Sequence, residues 1–208
     1  MNVKLVSLEM QNALIIFIKN PQLGKVKTRI AKELGDDIAL TIYKDLLKIT
    51  QNATRQADCQ RIVFYSDFID ESDEWDNSLY SKQLQQGEDL GERMKNAFAF
   101  VFKNPVIKNA IIIGSDCPHL ETWHIERAFS GLDTYDFCLG PAQDGGYYLL
   151  GMKELQGDIF ENKTWSTSTV LSDTRNQILT MGKYCYFLPL LADVDTVDDI
   201  HLLEKKYH

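Results

Sequence analysis

The stretch Ala110-Ile-Ile-Ile-Gly-Ser-Asp-Cys-Pro-His119 decides the fold. Its first residues, Ala110 to Ile113, are all apolar, which is the pattern of a strand buried on both faces of a parallel sheet. Gly114-Ser115 and Pro118 end this strand and leave Asp116 at its carboxyl end. Open α/β sheets bind ligands at that edge, so Asp116 is a candidate ligand for a metal that bridges phosphates. The alternative is that this carboxylate only caps a turn.

Strand and helix patterns alternate on both sides of this stretch. The other predicted strands cover Ala13 to Ile18, Arg61 to Tyr65, Leu79 to Leu84, Tyr135 to Leu139, Tyr147 to Leu150 and Tyr184 to Leu188. The predicted helices cover Thr28 to Leu34, a segment that begins at Asp36-Asp37, Glu88 to Lys103, Thr122 to Phe129, Thr169 to Leu179 and Val197 to Lys205. This alternation predicts an α/β fold with a mainly parallel sheet and helices on both of its faces.

Length and composition limit the number of domains and the kinds of partner that the protein can have. The 208 residues suit one domain, 1–208, and the net charge of -8 argues against broad binding to nucleic acid or to anionic membranes. No apolar run approaches the roughly 20 residues of a membrane span. Residues 1–10 carry Glu9 and no apolar core, so a cytoplasmic location is expected. The cysteines are scattered without a C-x-x-C pair, which indicates neither a zinc site nor a disulfide framework.

A basic loop, Lys19-Asn-Pro-Gln-Leu-Gly-Lys-Val-Lys-Thr-Arg29, links the first predicted strand to the first predicted helix. Gly24 permits a tight turn, and Lys25, Lys27 and Arg29 place cations beside a helix N-terminus, which itself favours anions. Neither the Walker A pattern nor the dinucleotide fingerprint is present. The loop is therefore predicted to bind phosphate, and the alternative is a solvated basic loop.

A third candidate loop is Gly140-Pro-Ala-Gln-Asp-Gly-Gly-Tyr-Tyr148. Asp144-Gly145 is a strong turn signal, so a plain hairpin explains much of it. Gly146 adds more backbone freedom than a hairpin needs, and two glycines beside a carboxylate let a ligand approach the main chain. The choice between a hairpin and a binding loop stays open on this segment alone.

Alternating carboxylates precede the last predicted helix. Thr196 can cap that helix, and Asp198 and Asp199 suit its first turn. Asp193 and Asp195 have no such explanation. They could supply further oxygen ligands to the metal expected at the end of the central strand.

The segment Trp165-Ser-Thr-Ser-Thr169 precedes another predicted helix. Its hydroxyl residues, Ser166 to Thr169, are expected to N-cap that helix. The alternative is that this hydroxyl-rich entry holds a phosphate or a sugar of the acceptor.

The order of these motifs resembles a bacterial family of glycosyltransferase-A-like proteins, the nucleotide-diphospho-sugar transferase-like family. Its relatives include phospholactate guanylyltransferase and the molybdenum-cofactor nucleotidyltransferases. The motifs that carry the resemblance are Pro21 to Arg29, Gln86-Gly87 with Leu90-Gly-Glu-Arg93, Gly114-Ser-Asp-Cys-Pro118, Asp144-Gly-Gly-Tyr-Tyr148 and Asp193-Val-Asp-Thr196. The resemblance covers about Ala13 to Leu203.

The resemblance implies a three-layer α/β/α sandwich with a mixed, mostly parallel sheet, which is the Rossmann-like GT-A fold. It implies a nucleotide site over the N-terminal half, a metal site and an acceptor site. The implied nucleotide-binding residues are Gly24, Lys25, Lys27, Thr28, Arg29, Gln86, Gly87 and Ser115. Mg²⁺ or Mn²⁺ would be held by Asp116 with Asp195 or Asp193. The residues expected to face the substrate are Gly145, Gly146, Trp165 and Ser166.

Two departures from the family pattern bear on the activity. The metal loop carries the single carboxylate of Asp116 where glycosyltransferases of this fold usually carry a D-x-D pair. The basic loop has one glycine and lysines where nucleotidyltransferases of this fold carry G-x-G-T-R, although Thr28-Arg29 is kept. The first departure weakens the prediction of sugar transfer, and the second weakens that of nucleotidyl transfer.

The sequence thus predicts a metal-dependent transferase with a nucleotide-activated donor and a small-molecule acceptor. The residues alone do not separate sugar transfer from nucleotidyl transfer, and the family resemblance favours a glycosyltransferase. Arg29 is expected to stabilise charge on the departing phosphate, and Asp144 is the candidate general base. One alternative is a nucleotidyltransferase that releases pyrophosphate. The other is a non-catalytic nucleotide-binding protein of the same fold.

Overall fold

The computed structural model describes residues 10–204, which form one seven-stranded sheet flanked by helices. The sheet has the order β3-β2-β1-β4-β6-β5-β7. β6 is antiparallel to both of its neighbours, and all other pairs are parallel. The strands are β1 (Asn12–Ile18), β2 (Gln60–Tyr65), β3 (Ser81–Leu84), β4 (Asn109–Ile113), β5 (Phe137–Pro141), β6 (Tyr147–Met152) and β7 (Cys185–Phe187).

Helices connect most of the strands and cover both faces of the sheet. The α-helices are α1 (Thr28–Leu34), α2 (Asp36–Thr54), α3 (Leu90–Val101), α4 (Thr122–Thr134), α5 (Val170–Thr180) and α6 (His201–Glu204). Short 3₁₀ helices cover Gly157–Phe160 and Val197–Ile200. None of the helices within residues 10–204 is both long enough and apolar enough to cross a membrane.

The central strand β1 shows how one strand serves two cores. Its side chains alternate between faces, since successive residues of a strand point to opposite sides. Leu14 and Ile16 pack in a cluster with α2 and α4, whereas Ala13 and Ile15 pack with α3. Because both faces are covered, the strand is apolar without alternation, as its sequence predicts.

The fold class predicted from the sequence is therefore confirmed, with differences at element ends. α4 continues to Thr134 rather than ending near Phe129. The last helix begins as a 3₁₀ turn and becomes α-helical at His201, and Lys205, its predicted end, lies outside the described residues. Ile38, in the first turn of α2, is 48% exposed.

Candidate functional site

A cleft of about 950 Å³ opens at the carboxyl edge of the parallel strands. Its walls come from the β1–α1 loop, the end of β4, the β5–β6 turn, the start of α3 and residues 165–168. The sheet positions all of these loops, because parallel strands direct their carboxyl ends to one edge. We call this space the cleft.

Asp116 enters the cleft directly after β4. The preceding Ser115 is 4% exposed, and its Oγ lies 3.1 Å from the Tyr43 hydroxyl of α2. Tyr43 also accepts a hydrogen bond from the Lys19 amide at 2.8 Å, and burial raises the pKa of its hydroxyl. This tyrosine thus ties the ends of β1 and β4 together beneath the cleft, which fixes the backbone that carries Asp116.

Lys27 makes the central charge contact of the cleft. Its side chain is 5% exposed, and its ammonium forms an ion pair with Asp116. The same Nζ lies 3.3 Å from Oδ1 of Asp195, while a guanidinium nitrogen of Arg29 lies 3.9 Å from Oδ2 of Asp195. Both carboxylates are about half exposed, at 45% and 48%. The loop after β1 and the loop before α6 therefore meet at one ammonium group.

Asp193 adds another carboxylate to this group. Burial, and then the charges of Asp116, Asp144 and Asp195, together raise its pKa to about 7, while the charge of Lys27 opposes them. The next residue along the chain donates its amide to the carbonyl of Asp116 at 3.0 Å, which holds the two loops together. The cleft thus concentrates acidic side chains around one buried ammonium.

The β1–α1 loop is held by a buried amide. Asn20 is 2% exposed, and its Oδ1 accepts the amides of Asp67 and Phe68 at 2.9 and 3.3 Å. The backbone amide of Asn20 donates to Ser66 Oγ at 3.1 Å. Because the loop is anchored to the one after β2, the exposed Lys25 that follows is presented from a fixed backbone.

The β5–β6 turn is both a hairpin and a wall of the cleft. Asp144 accepts the Gly146 amide at 2.8 Å, and both residues line the cleft. Gly145 has a φ of +89°, and a Cβ there would collide with the backbone of Ser168. Glycine is required at this position because two backbones touch. The contact joins the turn to the hydroxyl-rich segment before α5.

Trp165 forms the wall that faces α3. A Cβ at Gly91 would overlap its indole, so the helix and the ring are in direct contact. The ring of Phe160 stacks on the indole with centroids 6.5 Å apart, and Lys163 Nζ lies 5.2 Å from the indole centroid. Ser166 follows in the left-handed conformation, with a φ of +61°.

Most of the candidate residues from the sequence meet in this one cleft. The predicted residues that line it are Lys25, Lys27, Thr28, Arg29, Ser115, Asp116, Asp144, Gly146, Trp165, Ser166, Asp193 and Asp195. The predicted residues outside its lining are Gly24, Gln86, Gly87 and Gly145. Lys27, expected on a phosphate, lies among carboxylates instead.

The residues outside the lining have structural positions. Gly24 turns the chain with a φ of +74° and faces Asp36. Gly87 packs on the start of α3, where a Cβ would lie 2.8 Å from the Arg93 amide nitrogen. The side chain of Gln86 is exposed, and the backbone carbonyl of this residue accepts a hydrogen bond from the side-chain amide of Asn96 at 2.9 Å.

The expected capping of α5 is wrong, whereas that of the last helix is confirmed. Thr169 occupies the N-cap position of α5, but no side-chain hydrogen bond caps that end. The Thr167 hydroxyl donates to the carbonyl of Thr164 at 3.0 Å, which draws it away from the helix. At the last helix, Asp199 Oδ2 accepts from both the amide and the hydroxyl of Thr196 at 2.8 Å.

The cleft also contains side chains that the sequence analysis missed. Those with polar groups include Tyr43, Ser66 and Gln85, whereas Arg93 and Tyr148 belong to motifs already quoted but had been given no role. Gln85 sits one residue before a predicted site residue, and its amide donates to the carbonyls of Ile18 and Phe64, both at 2.9 Å. Its position directly after β3 could have identified it, because residues that follow a parallel strand lie at the carboxyl edge of the sheet, where ligands bind.

The carboxylates fit a divalent cation of the Mg²⁺ type. Asp116 and Asp195 offer hard oxygen ligands, and burial together with the neighbouring carboxylates raises the pKa of Asp193 beside them. Within residues 10–204, no group of three or more His, Cys, Asp or Glu side chains is placed to hold a metal alone. A cation bound here would take its remaining ligands from substrate phosphates and water, which is the usual arrangement for Mg²⁺.

The sequence and the fold were compared with known proteins. Residues 49–167 match the family described as "Uncharacterized protein conserved in bacteria (DUF2064)". None of the curated proteins matches the chain. Among solved structures, the chain is similar to a "putative nucleotide-diphospho-sugar transferase" from Desulfovibrio desulfuricans G20. That match has 29% identity and a TM-score of 0.86, and it covers 95% of this chain and 87% of the other.

Two more distant structures share the fold alone. Rv0371c from Mycobacterium tuberculosis H37Rv, solved in complex with manganese, is 12% identical with a TM-score of 0.56 and covers 94% of this chain and 98% of its own. A CMP:2-keto-3-deoxy-manno-octonic acid synthetase complexed with CTP is 9% identical with a TM-score of 0.53, covering 95% and 100%. The fold is thus that of the nucleotide-diphospho-sugar transferase-like proteins, as the motifs predict.

Proposed function

This chain belongs to the DUF2064 family, and we propose that it is a metal-dependent transferase acting on a nucleotide-diphospho-sugar. One observation carries the proposal: the cleft brings the cations of the β1–α1 loop and the carboxylates after β4 and before α6 to one place. Such a place suits a diphosphate with its counter-ion. The similarity to a transferase of that description and to a CTP complex supports the same reading.

The nucleotide diphosphate would lie against the β1–α1 loop. Lys25 and Arg29 are exposed at the cleft and can reach phosphate oxygens without breaking a buried contact. Thr28 adds a hydroxyl between them. Cations placed where charge develops on a leaving phosphate stabilise the transition state more than the ground state.

Asp116 and Asp195 would hold the divalent cation, with Asp193 as a further oxygen ligand. When bound, such a cation neutralises the diphosphate and favours its departure. The manganese complex of a structure with the same fold supports the choice of Mg²⁺ or Mn²⁺. The carboxylates are more than half shielded from solvent, which strengthens their attraction for a cation.

The acceptor would lie between the β5–β6 turn and residues 165–168. In sugar transfer, an acceptor hydroxyl attacks the anomeric carbon, the bond to the diphosphate breaks, and Asp144 takes the hydroxyl proton. Asp144 lines the cleft and keeps one oxygen beyond its bond to Gly146. The hydroxyls of residues 166–168 and the Trp165 ring suit a polyhydroxy compound.

Charge disfavours one form of nucleotidyl transfer, that to an acceptor phosphate. Residues 142–148 and 165–168 contribute Asp144 and several hydroxyls but no lysine or arginine. An acceptor phosphate placed against Asp144 would be repelled, whereas an acceptor hydroxyl would not. The CTP complex with the same fold nevertheless keeps nucleotidyl transfer as the second candidate.

Product analysis separates the candidates. The protein is incubated with Mn²⁺, a panel of nucleotide-sugars or nucleoside triphosphates, and polyol acceptors. We expect nucleoside diphosphate release, and pyrophosphate release would establish nucleotidyl transfer instead. Binding without any product would support the non-catalytic alternative.

Asp144→Asn tests the general base. We expect kcat to fall about 100-fold or more with a smaller change in KM, because general-base catalysis contributes about 10²–10⁴-fold. Asp133→Asn is the matched control, since Asp133 is exposed at the end of α4 and does not line the cleft. Unchanged turnover in Asp144→Asn would exclude the base role.

A further inference from the structure

Lys27 is buried in a way that a phosphate-binding lysine is not expected to be. Its side chain is 5% exposed, and it forms ion pairs with both Asp116 and Asp195. Charged side chains are seldom this buried unless they are paired. These ion pairs occupy the ammonium group of Lys27, which the sequence predicts to bind phosphate.

The backbone at Lys27 supports the same conclusion. Its φ of 45° and ψ of 47° are in the left-handed region, at the residue that precedes α1. A lysine in this conformation carries a cost of about 1 kcal/mol, so surrounding contacts must hold it there. The Ala31 amide donates to the Lys27 carbonyl at 2.9 Å, and the ion pairs supply the rest.

The surroundings of the ammonium are acidic beyond what one cation can balance. The charges of Asp116, Asp144 and Asp195 all act on the Asp193 carboxyl, and Arg29 adds a second cation 3.9 Å from Asp195. A lysine in such a group is attracted to a position that a divalent cation would also favour. Its flexible stem allows it to leave when another cation arrives.

We propose that Lys27 is a resident counter-ion that occupies the divalent-cation position between Asp116 and Asp195 until the metal displaces it, and that the nucleotide favours this exchange. This inference rests on the proposed function. On exchange, the ammonium leaves the carboxylates for the phosphates of the donor. Metal binding alone must displace Lys27, whereas the nucleotide gives the displaced ammonium a new partner. The two ligands therefore bind with positive coupling.

The direct test is Mn²⁺ binding, measured by calorimetry without nucleotide. Lys27→Met keeps the length of the side chain and removes the competing charge, so its Kd for Mn²⁺ is expected to be about fivefold lower than that of the native protein. Lys27→Arg keeps the charge and is expected to stay close to the native value. Lys95→Met, which removes the exposed ion pair with Glu161, is the control for loss of a lysine elsewhere.

Unchanged or weaker Mn²⁺ binding by Lys27→Met would overturn the proposal and leave the transferase assignment intact. A failure of every protein, native included, to bind Mn²⁺ with or without a nucleoside diphosphate would overturn both. A tighter site in Lys27→Met that gains less from a nucleoside diphosphate than the native site does would establish the coupling.

A second measurement needs no variant. Amine acylation followed by mass spectrometry reports how accessible Lys27 is in the native protein, with buried Lys82 as the internal reference. We expect Mn²⁺ alone to speed the modification of Lys27 about fivefold, in line with the affinity change above, while Lys82 keeps its rate. Equal rates for Lys27 with and without Mn²⁺ would contradict the exchange.

Discussion

Two buried lysines in this molecule show two uses of the same side chain. Lys82 is 4% exposed and lies 2.8 Å from Asp73, which is itself only 18% exposed. Lys27 is equally buried, but its carboxylate partners are about half exposed to the cleft. The first pair is closed to solvent, and the second is open on the side where a ligand would enter.

The partners of Lys82 are fully matched. Its ammonium donates to the carbonyl of Asp70 at 2.7 Å, and the second oxygen of Asp73 accepts the Tyr65 hydroxyl at 2.6 Å. The Lys82–Asp73 pair is shielded from solvent and anchors the loop between β2 and β3. The carboxylate partners of Lys27, by contrast, are about half exposed to the cleft. The comparison indicates that a shielded pair serves the fold and an open one serves binding.

The largest expected effect follows from removing each ammonium. Lys82→Met leaves Asp73 buried and unpaired, so we expect the free energy of unfolding to fall by about 3–5 kcal/mol. Lys27→Met leaves carboxylates that water can reach, so a loss of about 1 kcal/mol or less is expected. Urea denaturation in metal-free buffer measures both. Equal losses would mean that the Lys27 group is structural as well.

The next largest expected effect is the dependence of stability on pH, which tests the carboxylates around Lys27. The folded pKa of Asp193 is raised to about 7, so the folded state keeps a proton that the unfolded chain loses above its ordinary value of 3.8. The contribution of this carboxyl to stability therefore falls as the pH rises from about 4 to 7 and is level above that range. We expect Asp193→Asn to remove this decline and to be more stable than the native protein at pH 8 by about 2 kcal/mol.

Asp133→Asn is the control for the pH experiment, because Asp133 is exposed and far from the carboxylates of the cleft. Its stability is expected to follow the native pH profile. A native profile that does not decline relative to that of Asp193→Asn between pH 4 and 7 would show that folding does not raise the pKa of the Asp193 carboxyl.

The smallest expected loss of stability comes from an ion pair on the surface. Lys95 and Glu161 lie 2.7 Å apart, but their side chains are 37% and 54% exposed. Solvent screens such a pair, so Lys95→Ala is expected to lower the unfolding free energy by less than about 1 kcal/mol. A loss as large as that from Lys82→Met would show that burial does not distinguish these pairs.

Periodicity was enough to predict the frame of the molecule. The apolar runs at Ala13 and Ala110 became the central strands, because covered parallel strands need apolar residues on both faces. The antiparallel placement of β6 was not predicted. The turn at Asp144 indicated a hairpin, but no local pattern says which strand a hairpin will join.

The candidate site was predictable to the extent that strand ends identify it. Asp116 was predicted by the rule that ligands bind at the carboxyl edge of a parallel sheet, whereas Asp144 and Asp195 were predicted from their loop sequences and the family resemblance. The pairing of Lys27 was not predictable, since it depends on a loop far away in the chain. Tyr43 was missed because its ring reads as an ordinary apolar position of α2.

The most direct test of the account is a thermal-shift measurement on the native protein and on Asp116→Asn. Each is heated with nucleotide-sugars and nucleoside triphosphates, with and without Mn²⁺. A ligand at a hundredfold excess over its Kd adds about 2.7 kcal/mol, which raises the Tm of a chain of this size by about 5 °C. We expect that rise for a nucleotide-sugar with Mn²⁺ and its loss in Asp116→Asn. No rise with any nucleotide, or an equal rise in both proteins, would contradict a metal-dependent nucleotide site at Asp116.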